Sequence, residues 1–103
     1  MTREQAIKEF RKHWRWVAEN PLEGKGAYVP SRDWENNCAL CQHGCDQNCG
    51  CKGCPIKWPI KFKCLNQKSP YEKYREEYYG GTRDPKKLSA YATEIANLPE
   101  RKV

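Results

Sequence analysis

Seven cysteines constrain this 103-residue chain more than any other feature: six fall between Cys38 and Cys54, and the seventh is Cys64. The spacing is C-x2-C-x3-C-x3-C-x-C-x2-C-x9-C, at positions 38, 41, 45, 49, 51, 54 and 64. A chain of this length is one small domain, residues 1–103. With 38% hydrophobic and 31% charged residues, it buries little apolar surface per residue, and small domains of that kind usually carry a staple of disulfides or metal.

Disulfides fit poorly. The opening stretch "MTREQAIKEFRKHW" is charged and amphipathic and has no apolar h-region, so the expectation is no secretory signal and no transmembrane span. A protein retained in a reducing cytosol rarely keeps structural disulfides, and an odd number of cysteines leaves one thiol over. Metal is the expectation. Two C-x2-C pairs, Cys38/Cys41 and Cys51/Cys54, each aim two sulfurs at one point, and two such knuckles make a closed tetrahedral thiolate site. Cys64 is an alternative to Cys51. Cys45, Cys49 and His43 are candidates for a second, partly shared site, or Cys45 and Cys49 are spare thiols. The ferredoxin run C-x2-C-x2-C-x3-C-P is absent, so zinc is favoured over iron–sulfur.

Catalytic patterns are missing. A zinc deaminase needs H-x-E and P-C-x-x-C, but His43 is followed by Gly44-Cys45 and Cys51 follows Gly50. Thioredoxin-like chemistry needs its C-x-x-C to open a helix in a βαβ pattern, and neither "CALC" nor "CKGC" is expected to do so. There is no Gly-rich phosphate loop and no nucleophile–base pair, so a non-enzyme is expected.

Along the chain, residues 2–20 read as a helix. Thr2 and Gln5 fit a capping box; Ile7, Phe10, Trp14 and Val17 recur on one face with Ala6 and Ala18 beside them; Asn20-Pro21 ends it. His13 and Trp16 fall off that stripe. Residues 21–37 read as an irregular connection, with "AYV" a short extended piece and Tyr28 and Trp34 covering the metal. Residues 38–64 form the metal-binding region, glycine-rich turns around a metal. In "IKWPIKFKC", Ile56, Trp58, Ile60 and Phe62 alternate with Lys57, Lys61 and Lys63 at the period of a half-buried strand, which Pro59 keeps short or at an edge. Residues 70–98 read as a helical hairpin. Ser69-Pro70 and Asp84-Pro85 each start a helix, Gly80 and Pro99 end them, and "ERKV" is a frayed tail. The fold class expected is small and mainly α: roughly three helices around a zinc-stapled cysteine-rich loop region, with at most a short β-hairpin.

At Trp14-x-Trp16, Asn37-Cys38-x-x-Cys41, Cys51-x-x-Cys54-Pro55-Ile56-x-Trp58-Pro59, Cys64, Ser69-Pro70-Tyr71 and Ala96-Asn97-Leu98-Pro99, the chain resembles a group of small cysteine-rich proteins of bacteriophages and prophages of Gram-positive bacteria. That group typically shows five cysteines, so Cys45 and Cys49 are departures. The resemblance implies zinc ligands drawn from Cys38, Cys41, Cys51, Cys54 and Cys64, and a phage-type protein acting in the bacterial host cytoplasm. It implies no particular activity.

Two function classes remain. One is a module that binds a host protein and inhibits or redirects it; Tyr and Trp are enriched at interface hot spots, and this chain has six tyrosines and four tryptophans. Trp16 and the adjacent pair Tyr78-Tyr79 are contact candidates. Tyr78 and Tyr79 cannot both face inward on one helix. The other class is a zinc-containing DNA or RNA binder. It would use Lys52, Lys57, Lys61, Lys63 and Lys68 with Trp58 and Phe62 as stacking platforms. Most of the formal net charge of +6 lies in that segment, yet one four-thiolate zinc would cut the total to about +4, so the lysines equally suit counter-charge for the metal. Neither class calls for a membrane or a small-molecule substrate.

Overall fold

The computed structural model describes residues 2–34, 38–46, 54–58 and 69–100, the side chains of 45 and 46 excepted. Within them the protein is small and mainly helical. Helix α1 spans Arg3–Glu19, α2 Ala39–Asp46, α3 Pro70–Arg75 and α4 Pro85–Ala96.

Helix α1 begins where the capping box places it. Thr2 Oγ1 accepts from the Gln5 backbone N–H at 3.2 Å, and the Thr2 N–H donates to Gln5 Oε1 at 2.9 Å, satisfying donors that have no helical partner. At the other end Asn20 caps the helix, its side-chain amide donating to the Trp16 carbonyl at 2.9 Å. The buried face holds Ala6, Ile7, Phe10, Trp14 and Val17 as the stripe requires, and it also holds His13, which is 2% exposed.

Helices α1 and α4 pack antiparallel and donate to each other's terminal carbonyls. Arg11 Nη1 reaches the Ala96 carbonyl at 2.6 Å, and Ser89 Oγ reaches the Ala18 carbonyl at 2.8 Å. Leu88, Ala92, Ile95 and Ala96 are buried between them. Aromatic rings take the space that a richer supply of Leu, Ile and Val would fill. Trp14 meets Tyr74 edge-on at 5.0 Å and Tyr71 at 5.7 Å, and Phe10 meets Trp58 edge-on at 6.0 Å. Each such pair adds roughly 0.5–1.5 kcal/mol to simple burial.

Helices α3 and α4 start on Ser69-Pro70 and Asp84-Pro85 as expected, with the Ser69 and Asp84 side chains accepting from backbone N–H groups at 3.2 and 2.9 Å. After Arg75 the helix widens into a π turn, Glu76–Gly80. The turn that follows is held by Glu77, whose Oε2 accepts from Thr82 Oγ1 at 3.0 Å and from the Asp84 N–H at 3.2 Å. Those bonds, the first from the Asp84 backbone, hold the Glu77 carboxyl below its usual range.

Three expectations are corrected. "AYV" is not an extended piece: residues Lys25–Ala27 and Val29–Asp33 form two 3-10 turns, with Tyr28 alone between them in extended conformation. Pro30 pre-sets the second of these, and the buried Ser31 Oγ donates to the Tyr28 carbonyl at 2.7 Å. The cysteine-rich region is not all loop, because α2 makes a fourth helix among the described residues, burying Ala39 and Leu40 against α1. The tail is not frayed at its start: the Lys57 N–H donates to the Pro99 carbonyl at 2.9 Å, and Ile56 bridges antiparallel to Glu100. Buried Leu98 anchors that return. Residues 59–68, with Lys61, Phe62, Lys63 and Cys64, lie outside the described residues, so only Ile56, Lys57 and Trp58 of the strand pattern can be followed. They alternate buried, exposed, buried.

Candidate metal centre

Cys38 stands immediately before α2, and its carbonyl accepts the helix's first bond from the Gln42 N–H at 3.0 Å. Its sulfur does what a serine or aspartate oxygen does at that position. The Cys41 thiol donates to it, as do the Cys41 and Leu40 backbone N–H groups, and the Lys25 charge lies close by. The Cys41 thiol is the largest influence, and together these bonds hold the Cys38 thiol below its ordinary pKa against burial, which pushes the other way. A sulfur already surrounded by N–H donors is prepared to carry negative charge, which is what a zinc ligand must do.

Lys25 joins this corner to α1. Its ammonium lies 4.8 Å over the Tyr71 ring, and its carbonyl accepts from His13 Nε2 at 2.7 Å. A carbonyl only accepts, so Nε2 carries the hydrogen. The His13 ring stacks on Tyr28 at 4.9 Å and 17°, with Trp14 and Trp34 at 5.7 and 6.0 Å. Burial, the largest influence, brings its pKa down to about 4; the bond to the Lys25 carbonyl raises it and the Lys25 charge lowers it. Tyr28 and Trp34 therefore enclose an imidazole, where the sequence reading had them covering a metal. The sequence does carry the signal for this: Ala6, Phe10, His13 and Val17 fall at helical spacing. Burial likewise raises the Tyr74 phenol, whose hydroxyl has no hydrogen-bond partner among the described residues and sits near the Lys25 backbone without bonding geometry.

Of the expected ligands, the structure brings Cys38 and Cys41 together. Cys54 is half-buried against the same hydrophobic core. His43 is buried in α2, and Cys45 belongs to α2 by its backbone. Cys49, Cys51 and Cys64 lie outside the described residues. Among the described residues, no three Cys, His, Asp or Glu side chains gather to hold a metal ion. A four-thiolate site drawn from the expected set therefore needs sulfurs from beyond them.

The contact candidates divide. Trp58 is 6% exposed, wedged between Phe10 and Tyr71, and so is a core residue and not a surface platform. Trp16 is half-buried and tilted against Tyr28 at 5.6 Å. Lys57 is exposed; Lys61 and Lys63 lie outside the described residues. Tyr78 is half-buried over Tyr74 and Gly24, whereas its neighbour Tyr79 is 72% exposed. Among the described residues no helix is long and apolar enough to cross a membrane. No protein-family model, no curated protein and no solved structure matches this chain.

Proposed function

We propose that this chain is a non-enzymatic, zinc-stabilised protein of phage type, acting in the host cytoplasm, where it binds a host protein and inhibits or redirects it. The observation that carries this reading is the exposed Tyr79. Its ring is held edge-on by Tyr78 at 4.9 Å, and the Arg83 guanidinium lies 4.7 Å over the Tyr78 ring. Arg83 is itself anchored, its Nε donating to the Tyr78 carbonyl at 2.7 Å. Tyrosine and arginine are the residue types most often found at interface hot spots, and side chains already held in place lose little freedom on binding.

Zinc enters as a structural ion held by Cys38 and Cys41 with further thiolates from Cys51, Cys54 or Cys64; Cys45 and Cys49 are candidates for a second ion. Support comes from the paired spacing and from the donors that already surround the Cys38 sulfur. The nucleic-acid reading loses one of its two stacking platforms because Trp58 lies in the core.

The test is a tagged pull-down from bacterial lysate, with and without nuclease, using the wild type and Tyr79→Ala. One host protein captured in both arms and lost with Tyr79→Ala is the expected result. Capture of nucleic-acid-associated proteins that disappears with nuclease would replace this reading with the Lys52–Lys68 segment binding DNA or RNA.

A further inference from the structure

The middle two turns of α1 present a row of cations to solvent. Lys8, Arg11, Lys12 and Arg15 stand at i, i+3, i+4 and i+7, on the side of the helix opposite the buried Phe10, Trp14 and Val17. At 1.5 Å per residue they span roughly 10 Å of helix. Lys8, Lys12 and Arg15 are exposed, and among the described residues none of the three has an ion pair or a hydrogen bond. That holds although Glu4 lies four residues before Lys8 and Glu19 four after Arg15. Glu9, the one acid within the span, falls on the flank of the helix and is half-buried. Arg11 is pinned by its bond to the Ala96 carbonyl, which fixes its charge on the α4 side of the row.

Lys8 therefore faces Arg11 and Lys12, and Arg15 faces the same two, as like charges one turn apart. Such pairs weaken a helix, whereas alternating signs would strengthen it. A local choice that runs against stability in this way marks a functional face more often than a structural one. Its occupant is a polyanion, and the make-up of the face identifies the kind. Protein interfaces are built around aromatic and apolar anchors and are depleted in lysine. The exposed large hydrophobics among the described residues, Leu22, Val29 and Tyr79, all lie outside α1. Single nucleic-acid strands are held on aromatic stacking platforms. In α1, however, Phe10 and Trp14 are buried and Trp16 is half-buried against Tyr28. Contacts to the phosphates of a duplex need only positioned Lys and Arg side chains.

We propose that the outer face of α1 binds the phosphate backbone of a nucleic-acid duplex without reading its sequence, through Lys8, Lys12 and Arg15 with Arg11 beside them. This surface is separate from the Tyr79 cluster, so the proposal goes beyond the host-protein reading and does not depend on it.

The probes are short labelled duplexes of mixed sequence, one DNA and one RNA, and a single DNA strand of the same length. Each is titrated with the purified full-length chain and read by fluorescence anisotropy. The expected result is duplex binding that weakens about 40- to 150-fold between roughly 50 and 200 mM salt, the slope for three to four neutralised phosphates. Binding of either duplex, or of both, in this way supports the proposal. The triple variant Lys8→Gln, Lys12→Gln, Arg15→Gln keeps good helix formers. It should retain its helix content by circular dichroism and lose duplex binding, whereas Lys8→Arg with Lys12→Arg should retain both. Lys61→Gln with Lys63→Gln should bind as the wild type does, which separates α1 from the lysine-rich segment. Tyr79→Ala should leave duplex binding intact, so failure of the host-protein reading and failure of this one are told apart. No duplex binding at about 50 mM salt, binding unchanged by the triple glutamine variant, or a single strand bound more tightly than either duplex overturns the proposal. Capture of an acidic host protein through the α1 charges, with no duplex bound, overturns it in favour of a protein partner.

Discussion

His13 Nε2 lies 2.7 Å from the Lys25 carbonyl oxygen, and this one bond ties the buried face of α1 to the turn that carries Lys25 toward Cys38. The ring is neutral in the folded protein because burial outweighs the favourable bond and brings its pKa to about 4. Unfolded, the same ring titrates near 6.5. A folded pKa below the unfolded one means stability that is complete above about pH 6.5 and is lost as pH falls toward 4, to the extent of about 3 kcal/mol. An NMR titration of the imidazole, alongside urea unfolding at pH 7.5 and pH 4, checks this. A ring that titrates near 6.5 in the folded protein would sink it.

Gly24 has φ 80° and ψ 155°, a region that only glycine adopts readily, and a Cβ placed there would come within 2.8 Å of Tyr78 Oη. Gly24→Ala should therefore lose about 1–3 kcal/mol from backbone strain, with the clash adding to it. Adding Tyr78→Phe removes the hydroxyl but not the strain, so the double variant should recover part of the loss and not all. Thermal melts of the four members of this cycle measure it; full recovery would mean that the backbone is unstrained.

The two bonds between α1 and α4 should be separable. Arg11→Ala frees the Ala96 carbonyl and is expected to lose roughly 1.5–3 kcal/mol, the range for bonds to a charged donor. Ser89→Ala frees the Ala18 carbonyl and should lose about 1 kcal/mol. They sit at opposite ends of the helix pair, so the losses should add within about 0.5 kcal/mol. Urea midpoints of the single and double variants give the answer, and a neutral Arg11→Ala would show that water replaces the guanidinium.

For the metal, Cys38→Ser and Cys54→Ser should lose zinc and most folded structure together, because closed zinc sites contribute folding energy directly. Cys45→Ser and Cys49→Ser should be milder. If they build a second centre, bound zinc falls from near two equivalents to one in these variants. Metal analysis with circular dichroism reads both effects, and a normally folded, metal-free Cys38→Ser would refute the assignment.

Local chemistry sufficed wherever a few neighbouring residues decide the outcome. The capping box at Thr2 and Gln5, the Ser69-Pro70 and Asp84-Pro85 helix starts, and the stripe from Ile7 to Val17 were all readable from sequence, because caps and helical period act over one or two turns. The Cys38 and Cys41 side chains lie near each other because three residues span a single turn; the metal reading of that spacing is the proposal made above. What lay beyond that range was decided by packing. His13 shares the helical spacing of Ala6, Phe10 and Val17, but what encloses its ring, Tyr28 and Trp34, returns over α1 from a separate turn. Trp58 belongs to the core because Phe10 and Tyr71 enclose it from elements remote in sequence. "CALC" became the start of a helix because Ala39 and Leu40 found an apolar face on α1 to bury against. Burial of this kind is a property of the whole fold, and a window of sequence that holds only one side of the contact cannot contain it.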